Sequence, residues 1–376
     1  MAWGGRQAPR PRSGERGYSV WRARLQGMTW AGAAAAAAGN AQKLRFIRRV
    51  SLVSSLDQLD HLGSRRLVGI AALVLTILCW GTVPVLLRDL ADATDAWTAN
   101  GFRYPLSSLM FWPILWAAWT DRRLTRDLVV RCTVPAFFAL TGQILWAIAH
   151  YHLKASETAF LIRFSALWAI GGAMLLFSDE RWLLGQFRFY ASLILLSGGF
   201  FLFSSISGSA RVGGSRDGLW IMFFCSLAFG LYAVSIRRFL PHVDAILAFA
   251  IVCQLVSLGT IAGMFAYGDV QSLATLKSRD WLQMVTSSFL GIGFGHVLLY
   301  IAVQRLGTAV ASSCQTLTPF VTAVLASATL GEALSRGQWL AGLLMVIGTF
   351  LLMTAKRPHE PRQNRRMRLG LAARLP

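Results

Sequence analysis

The sequence predicts an all-α integral membrane protein with ten transmembrane helices, arranged as two inverted five-helix repeats. Hydrophobic residues make up 55% of the 376-residue chain and charged residues only 14%, well below the roughly 25% that is typical of soluble domains. Charged residues bracket apolar runs that are long enough to cross a bilayer, which takes about 20 residues. The order of these runs and of the elbows between them recurs once along the chain.

The clearest pair of spans lies near the C-terminal end. Residues 306–331 form a run of 26 residues without a charge, and residues 337–355 form a second run of 19. A polar elbow containing Glu332 and Arg336 joins the two runs, and charged groups of this kind lie at the membrane interface rather than in lipid. We interpret the runs as the ninth and tenth spans. Glu332 is predicted to lie near the start of the tenth span, where the helix dipole favours a carboxylate.

An equivalent elbow follows the predicted fourth span. Glu180 lies 152 residues before Glu332, and in both places a glutamate ends one apolar run and precedes another. Arg88 and Arg237 form a second such pair, 149 residues apart. Because five is an odd number, the second repeat must enter the membrane from the opposite side, as in transporters built from inverted repeats.

Two basic tails flank the predicted repeats. Residues 67–207 and 216–355 are the repeats, whereas residues 1–66 and 356–376 are tails that carry fifteen of the twenty net positive charges. Next to a membrane-embedded domain, this positive charge suits anionic lipid headgroups. We expect no nucleic-acid partner, because the sequence shows no basic stripe on a folded domain. We interpret the N-terminal tail either as disordered or as the product of a start codon assigned too far upstream. An organellar transit peptide is the alternative.

Lys and Arg residues also predict the orientation, because they are enriched in cytoplasmic loops. The Arg-rich loop over residues 121–131 and both tails place the two termini in the cytoplasm. The predicted location is a bacterial inner (plasma) membrane, with the lipid bilayer and a small-molecule substrate as partners. The sequence leaves the oligomeric state open, a homodimer included.

Short motifs in the spans suggest a family. Their order is Trp80-Gly81, Gly142 with Ile148-Ala149, Gly295 with Ile301-Ala302, Thr318-Pro319, and Leu330-Gly331-Glu332. Over residues 67–355 this order resembles the drug/metabolite transporter (DMT) superfamily, specifically EamA-type transporters with two EamA repeats. The resemblance implies ten helices, a central cavity between the repeats and transport of small metabolites, usually outward. The first repeat departs from the pattern, because Leu167 stands where Pro319 would fall.

Polar and aromatic residues within the spans are the candidate substrate-binding residues. An arginine near the bilayer centre costs at least about 2.5 kcal/mol on insertion scales, so Arg103 and Arg163 have two interpretations. They form a positive vestibule for an anionic or zwitterionic solute, or they are structural residues that bond carbonyls or headgroups. Pro319 removes a backbone hydrogen bond and predicts a kink or hinge. The full candidate set is Trp80, Arg103, Trp146, His150, Arg163, Tyr232, His296, Gln315, Thr318 and Pro319.

The titratable residues suggest how transport is driven. We expect no Asp or Glu within a span, which leaves His150 and His296 as candidates if protons are the coupling ion. The five cysteines show no CxxC spacing, and we predict neither a metal site nor a cofactor. The predicted function is a secondary transporter that exports amino-acid-like or other small organic solutes by alternating access. A membrane-embedded enzyme, which would need clustered catalytic groups, and a lipid-handling protein are the alternatives.

Overall fold

The computed structural model describes residues 66–209 and 216–355. Within these ranges the chain folds into α-helices with short 3-10 and π segments, and no β-strand occurs there. Eight helices in the described part are long and apolar enough to cross a membrane. The prediction of an all-α, multi-pass membrane protein is therefore confirmed. The two predicted tails, residues 1–66 and 356–376, lie almost wholly outside the described residues.

The predicted first repeat contains seven helices in five consecutive stretches. Two stretches are interrupted by 3-10 turns, at Leu109–Phe111 and at Ile162–Phe164. The helices are α1 (Arg66–Leu90), α2 (Ala96–Ser108), α3 (Trp112–Thr120), α4 (Arg126–Ala149), α5 (Ala155–Leu161), α6 (Ser165–Leu176) and α7 (Phe187–Ser209).

The predicted second repeat has the same five stretches and one additional short helix. A π-helix at Phe289–Phe294 and a 3-10 turn at Gln315–Leu317 interrupt two of them. The helices are α8 (Arg216–Phe239), α9 (Ala245–Tyr267), α10 (Ser272–Thr275), α11 (Ser278–Ser288), α12 (Gly295–Leu306), α13 (Thr308–Cys314), α14 (Thr318–Leu330) and α15 (Arg336–Met353).

Two of the ten predicted spans are not among the eight membrane-length helices. These are residues 96–120, which α2 and α3 share, and residues 308–330, which α13 and α14 share. Both stretches are helical over their length apart from a 3-10 turn. The count of ten transmembrane helices and their inverted arrangement therefore remain predictions.

Aspartates begin the second helix stretch of each predicted repeat. The Asp95 carboxylate accepts hydrogen bonds from the backbone N–H groups of Trp97 and Thr98 at 2.9 and 3.0 Å. Asp244 caps α9 in the same way. A carboxylate at this position satisfies N–H groups that have no partner within the helix and is favoured by the helix dipole. The same capping therefore occurs in both halves.

The fourth and ninth stretches both break near their middle. Arg163 lies in the first 3-10 turn and Gln315 in the second, 152 residues later. Pro319 lies in the first turn of α14, just after the second break. Leu167 occupies the equivalent place in α6, yet that stretch breaks as well. The break in the first half therefore does not require a proline.

Contacts between loops define two faces of the helix assembly. One face, here called the Glu332 face, carries residues 91–95, 150–154, 268–277 and 331–335. Its loops bond to one another, as in the contacts Thr94–Ser272 at 2.8 Å and Lys154 Nζ to the Ala333 carbonyl at 3.1 Å. The opposite face, here called the Arg237 face, carries the end of α8 and the Ser178–Gly185 3-10 helix. Its main contact joins Arg237 to Asp179 and Glu180.

Candidate functional site

A cavity of about 500 Å³ lies at the centre of the helix assembly. Four helix stretches from each predicted repeat contribute to its lining, the first four in each case. The fifth stretches, α7 and α15, pack against each other and bury Leu196 and Met345. A volume of this size is typical of small-molecule sites. Both halves of the chain therefore form one central site.

Eight of the ten candidate residues lie in the cavity wall. They are Trp80, Arg103, Trp146, Arg163, Tyr232, His296, Gln315 and Thr318. His150 and Pro319 lie outside the lining and are fully or largely buried. For all ten candidate residues, substrate binding remains a prediction.

Two glycines of the family-like motifs allow helices to approach closely around the cavity. A Cβ atom on Gly81 would lie 2.6 Å from Cγ1 of Val321, so α1 and α14 can meet there only without a side chain. A Cβ atom on Gly295 would lie 2.3 Å from Nε1 of Trp80. The indole N–H of Trp80 instead donates to the Gly291 carbonyl at 3.0 Å. The motif residues therefore place Trp80 in the cavity wall.

The π-helix at Phe289–Phe294 presents further groups to the cavity. Ring stacking joins His296 to Phe249, with 4.1 Å between the ring centroids. Nδ1 of His296 lies 3.1 Å from the Gly291 carbonyl, which the π-helix leaves accessible. Segments of this type often occur at functional sites. Sequence reasoning missed the π-helix, although the three glycines at 291, 293 and 295 were a signal of irregular backbone.

Arg103 is buried in the wall and its donors are largely engaged. Nε donates to Oγ of Ser287 at 2.8 Å, and the two Nη atoms donate to Oδ1 of Asn100 at 2.9 Å and to the Ser287 carbonyl at 3.3 Å. Only 3% of the residue is exposed. This geometry favours the structural interpretation, in which the guanidinium ties α2 to α11 directly before the π-helix.

Arg163 has a different environment from Arg103. Its Nη1 donates to the Gln315 carbonyl at 3.3 Å, whereas its buried Nε has no hydrogen-bond partner among the described residues. Gln315 lies four residues before Pro319, which has no N–H to offer that carbonyl. The backbone N–H of Thr318 also donates to the Gln315 carbonyl, so Arg163 adds a second hydrogen bond to that carbonyl while its own Nε stays without a partner there.

His150 belongs to the packing around the cavity. Its Nδ1 lies 2.7 Å from the Trp146 carbonyl, and its Nε2 lies 3.2 Å from Oγ1 of Thr158. The residue is fully buried. With both ring nitrogens engaged, His150 links the end of α4 to the start of α5.

Glu157 corrects the expectation that no carboxylate lies within a span. It lies in the first turn of α5, inside a helix of membrane length, and is only 3% exposed. Its oxygens accept hydrogen bonds from Oγ of Ser207, Nε2 of Gln338 and the backbone N–H of Lys154, at 2.9, 2.8 and 3.1 Å. The sequence reading missed this burial because it used each charge as the boundary of a span.

Glu332 also bonds differently from the prediction. Its carboxylate accepts hydrogen bonds from the N–H groups of Ala155 and Ser156 at 2.9 and 3.2 Å, and from Oγ of Ser156 at 2.9 Å. The tenth stretch is capped instead by Ser335, whose Oγ accepts from the N–H of Gln338. Glu332 therefore caps α5 in the other half of the chain, and the helix-dipole argument applies to that helix.

Comparison with known proteins agrees with this architecture. Residues 216–354 match the EamA-like transporter family, so the second half of the chain is similar to that family's domain. The resemblance to EamA-type transporters is confirmed there. An uncharacterized transporter of Haemophilus influenzae is 23% identical over 187 residues, which cover 49% of this chain and 61% of that relative. The chain thus spans about three fifths of the curated relative.

A solved structure is similar to the fold of the larger part of the chain. Described only as the crystal structure of a protein, it aligns with a TM-score of 0.52 and 15% identity, over 77% of this chain and 96% of its own. Likeness at this identity concerns the fold and carries no information about substrate.

Proposed function

We propose that this protein is a secondary transporter that moves a small organic solute across the membrane by alternating access. In this proposal its ten helix stretches cross the bilayer as two inverted five-helix repeats. The observation that carries the proposal is the central cavity, to which each half contributes four helix stretches. Sites between inverted repeats are typical of transporters whose halves rock against each other.

The distribution of positive charge and the family similarity support an orientation and a direction of transport. The Arg-rich residues 121–131 favour the cytoplasm, which makes the Arg237 face cytoplasmic and the Glu332 face external. Both termini then lie in the cytoplasm, and a bacterial inner membrane fits the relative from Haemophilus influenzae. Similarity to EamA-type transporters supports export of small metabolites.

The histidines and Glu157 bear on proton coupling. Among the candidates, His296 lies in the cavity wall, whereas His150 and Glu157 bond to packed neighbours. We therefore propose His296 as the titratable group that a substrate would meet, if protons drive transport.

A membrane-embedded enzyme is the alternative class. Such chemistry needs a nucleophile, a base and an orienting group in mutual contact. The described residues contain no group of three His, Cys, Asp or Glu that could hold a metal ion, and the EamA-like match favours transport. A lipid-handling protein, the remaining alternative, would bind a lipid rather than a small water-soluble solute.

A thermal-shift screen followed by transport assays tests the proposal. Purified protein is screened against amino acids, aromatic acids, nucleotide precursors and cationic drugs, since ligand that binds the folded state raises its melting temperature. Compounds that bind are then assayed for counterflow in proteoliposomes. Arg163→Ala should abolish binding and counterflow, whereas Arg181→Ala, an exposed arginine outside the cavity lining, should not. Binding without counterflow would contradict transport, and turnover of the compound would favour the enzyme.

A further inference from the structure

The cavity wall carries positive charge without a compensating carboxylate. Arg103 and Arg163 both line it, and no Asp or Glu of the described ranges does. None of the ion pairs in the described part of the chain involves either arginine. Burying unpaired charges away from water is costly. A bound anion would lower this cost.

Two groups in the wall have no hydrogen-bond partner among the residues that the structure describes. They are Nε of Arg163 and Oγ1 of Thr318, both buried. Both groups can donate to a carboxylate oxygen, and both belong to the breaks in the fourth and ninth helix stretches. Orphaned buried polar atoms are rare in folded proteins. Their occurrence at one cavity wall points to a ligand that accepts hydrogen bonds.

The rest of the wall is largely apolar and aromatic. The aromatic residues that line it are Trp80, Tyr104, Trp146, Phe229, Tyr232 and Phe249. Aromatic side chains bury large apolar areas and prefer edge-to-face or offset contacts with other rings. A planar ring on the ligand would therefore be accommodated in the same cavity.

We propose that the cavity binds a monocarboxylate with an aromatic ring, and that Arg163 and Thr318 hold its carboxylate. The inference rests on the proposed function and names the substrate class of that same site. An aromatic amino acid would bring an ammonium group, for which the described wall offers no carboxylate. An aromatic amine would add a third positive charge beside two arginines. Selectivity therefore follows the charge of the ligand.

Three compounds with the same phenyl ring test this inference. They are 3-phenylpropanoate, an anion, phenylalanine, a zwitterion, and phenethylamine, a cation. Apparent dissociation constants are obtained from the concentration dependence of the melting temperature. We expect 3-phenylpropanoate to bind at least about tenfold more tightly than phenylalanine, because the ammonium group of phenylalanine would lose water without gaining a carboxylate partner. Phenethylamine, which lacks the carboxylate, should produce no shift.

Variants assign the binding to the two groups. Arg163→Gln should weaken binding of 3-phenylpropanoate by about tenfold or more. This variant also loses the bond to the Gln315 carbonyl, so Thr318→Val provides an independent test. Thr318→Val removes no side-chain hydrogen bond within the described ranges and should weaken binding by about threefold to tenfold. Ser313→Ala is its matched control, because the Ser313 hydroxyl is also buried without a partner but lies outside the cavity wall.

Each outcome of the experiment supports or overturns the inference. Equal or tighter binding of phenylalanine or phenethylamine would overturn it, and so would the absence of a shift with all three compounds. Binding that Arg163→Gln and Thr318→Val leave unchanged would also overturn it. Counterflow in proteoliposomes separates this inference from the proposed function. A carried zwitterion or cation contradicts only the substrate class, whereas bound but uncarried 3-phenylpropanoate contradicts only transport.

Discussion

The elbows after the fourth and the ninth helix stretches occupy equivalent positions in the two halves, but their glutamates contact very different groups. Glu332 accepts hydrogen bonds from two backbone N–H groups and a hydroxyl at the start of α5. Glu180, together with Asp179, pairs with Arg237 at the end of α8. Both elbows join the two halves of the chain, one on each face.

The two contacts differ in how deeply their partners are buried, and therefore in how much free energy their loss should cost. Ala155 and Ser156, whose N–H groups bond to Glu332, are at most 1% exposed, so losing that partner would leave buried donors unsatisfied. The Arg237 side chain is 41% exposed, and its partners Asp179 and Glu180 are 55% and 23% exposed. Ion pairs in water contribute only about 0–1 kcal/mol. The Glu332 face should therefore be the more firmly closed of the two.

This asymmetry teaches that equivalent positions in a repeated chain need not have equivalent roles. If the two halves rock about the cavity, opening of the Glu332 face requires breakage of part-buried, charge-assisted bonds whose N–H donors are buried. Opening of the Arg237 face requires breakage of exposed ion pairs and of the contact between Arg237 and the Phe177 ring at 4.4 Å. We therefore expect the unliganded protein to favour closure of the Glu332 face.

Glu157→Ala should have the largest effect on the Glu332 face. The substitution removes the acceptor of the Ser207 hydroxyl and of the Lys154 N–H and one of two acceptors of the Gln338 amide. It also removes the volume of a buried side chain. We expect a loss of about 3 kcal/mol in unfolding free energy, measured by thermal denaturation in detergent. Glu157→Gln is the control that keeps the volume. A change within experimental error for Glu157→Ala would mean that the hydrogen bonds of Glu157 contribute little to the stability of this face.

Glu332→Ala should destabilise the protein by about 2 kcal/mol, through loss of a charged helix cap with buried donors. Glu180→Ala is the matched variant at the equivalent position of the other half and should cost less than about 1 kcal/mol. Thermal denaturation of the two proteins in parallel gives the comparison. Equal losses would show that the two elbows are energetically equivalent.

The pH dependence of the Glu332 face should reflect Asp95. Partial burial acts to raise the pKa of this carboxyl, but hydrogen bonds from Thr98, Asp269 and Trp97 outweigh it and lower the pKa below its ordinary value. A lowered pKa stabilises the fold above the unfolded value of about 3.9. That stability is lost as pH falls through the lower folded value. Between pH 5 and pH 3 the wild type should therefore lose about 1–3 °C more in melting temperature than Asp95→Asn. Parallel curves for the two proteins would contradict this.

Arg237→Ala should have the smallest effect, below about 1 kcal/mol, and salt should reduce it further because exposed charges are screened. Denaturation at low and high salt checks this. A loss comparable to that of Glu332→Ala, insensitive to salt, would mean that the Arg237 face is held as firmly as the other.

Much of the fold could be predicted from the pattern of charges and apolar runs. Asp95 and Asp244, which mark the starts of predicted spans, are helix caps in the two halves. Pro319 lies next to a helix break. Such features are local, because they depend on bonds within a few residues. The same reasoning brought Arg163 and Gln315 into one candidate set, and they lie in contact.

Features that depend on packing between the halves could not be predicted. Glu332 caps a helix 176 residues away at Ser156, and Glu157 reaches Gln338, 181 residues away. The spacing of apolar residues along the sequence does not indicate which helices pack against each other. The break in the fourth helix stretch was also missed, because its sequence carries no proline. Its Arg163 bonds instead to the Gln315 carbonyl, at the break in the ninth stretch.

Amide hydrogen exchange, followed by mass spectrometry, would compare the two faces most directly. In the wild type, peptides covering residues 155–161 should exchange more slowly than peptides covering residues 178–186. Glu332→Ala should accelerate exchange at residues 155–161 and leave residues 178–186 unchanged, while Glu180→Ala should leave residues 155–161 protected. Equal exchange on the two faces in the wild type, or protection of residues 155–161 that survives Glu332→Ala, would contradict the expectation that the Glu332 face is the more firmly closed of the two.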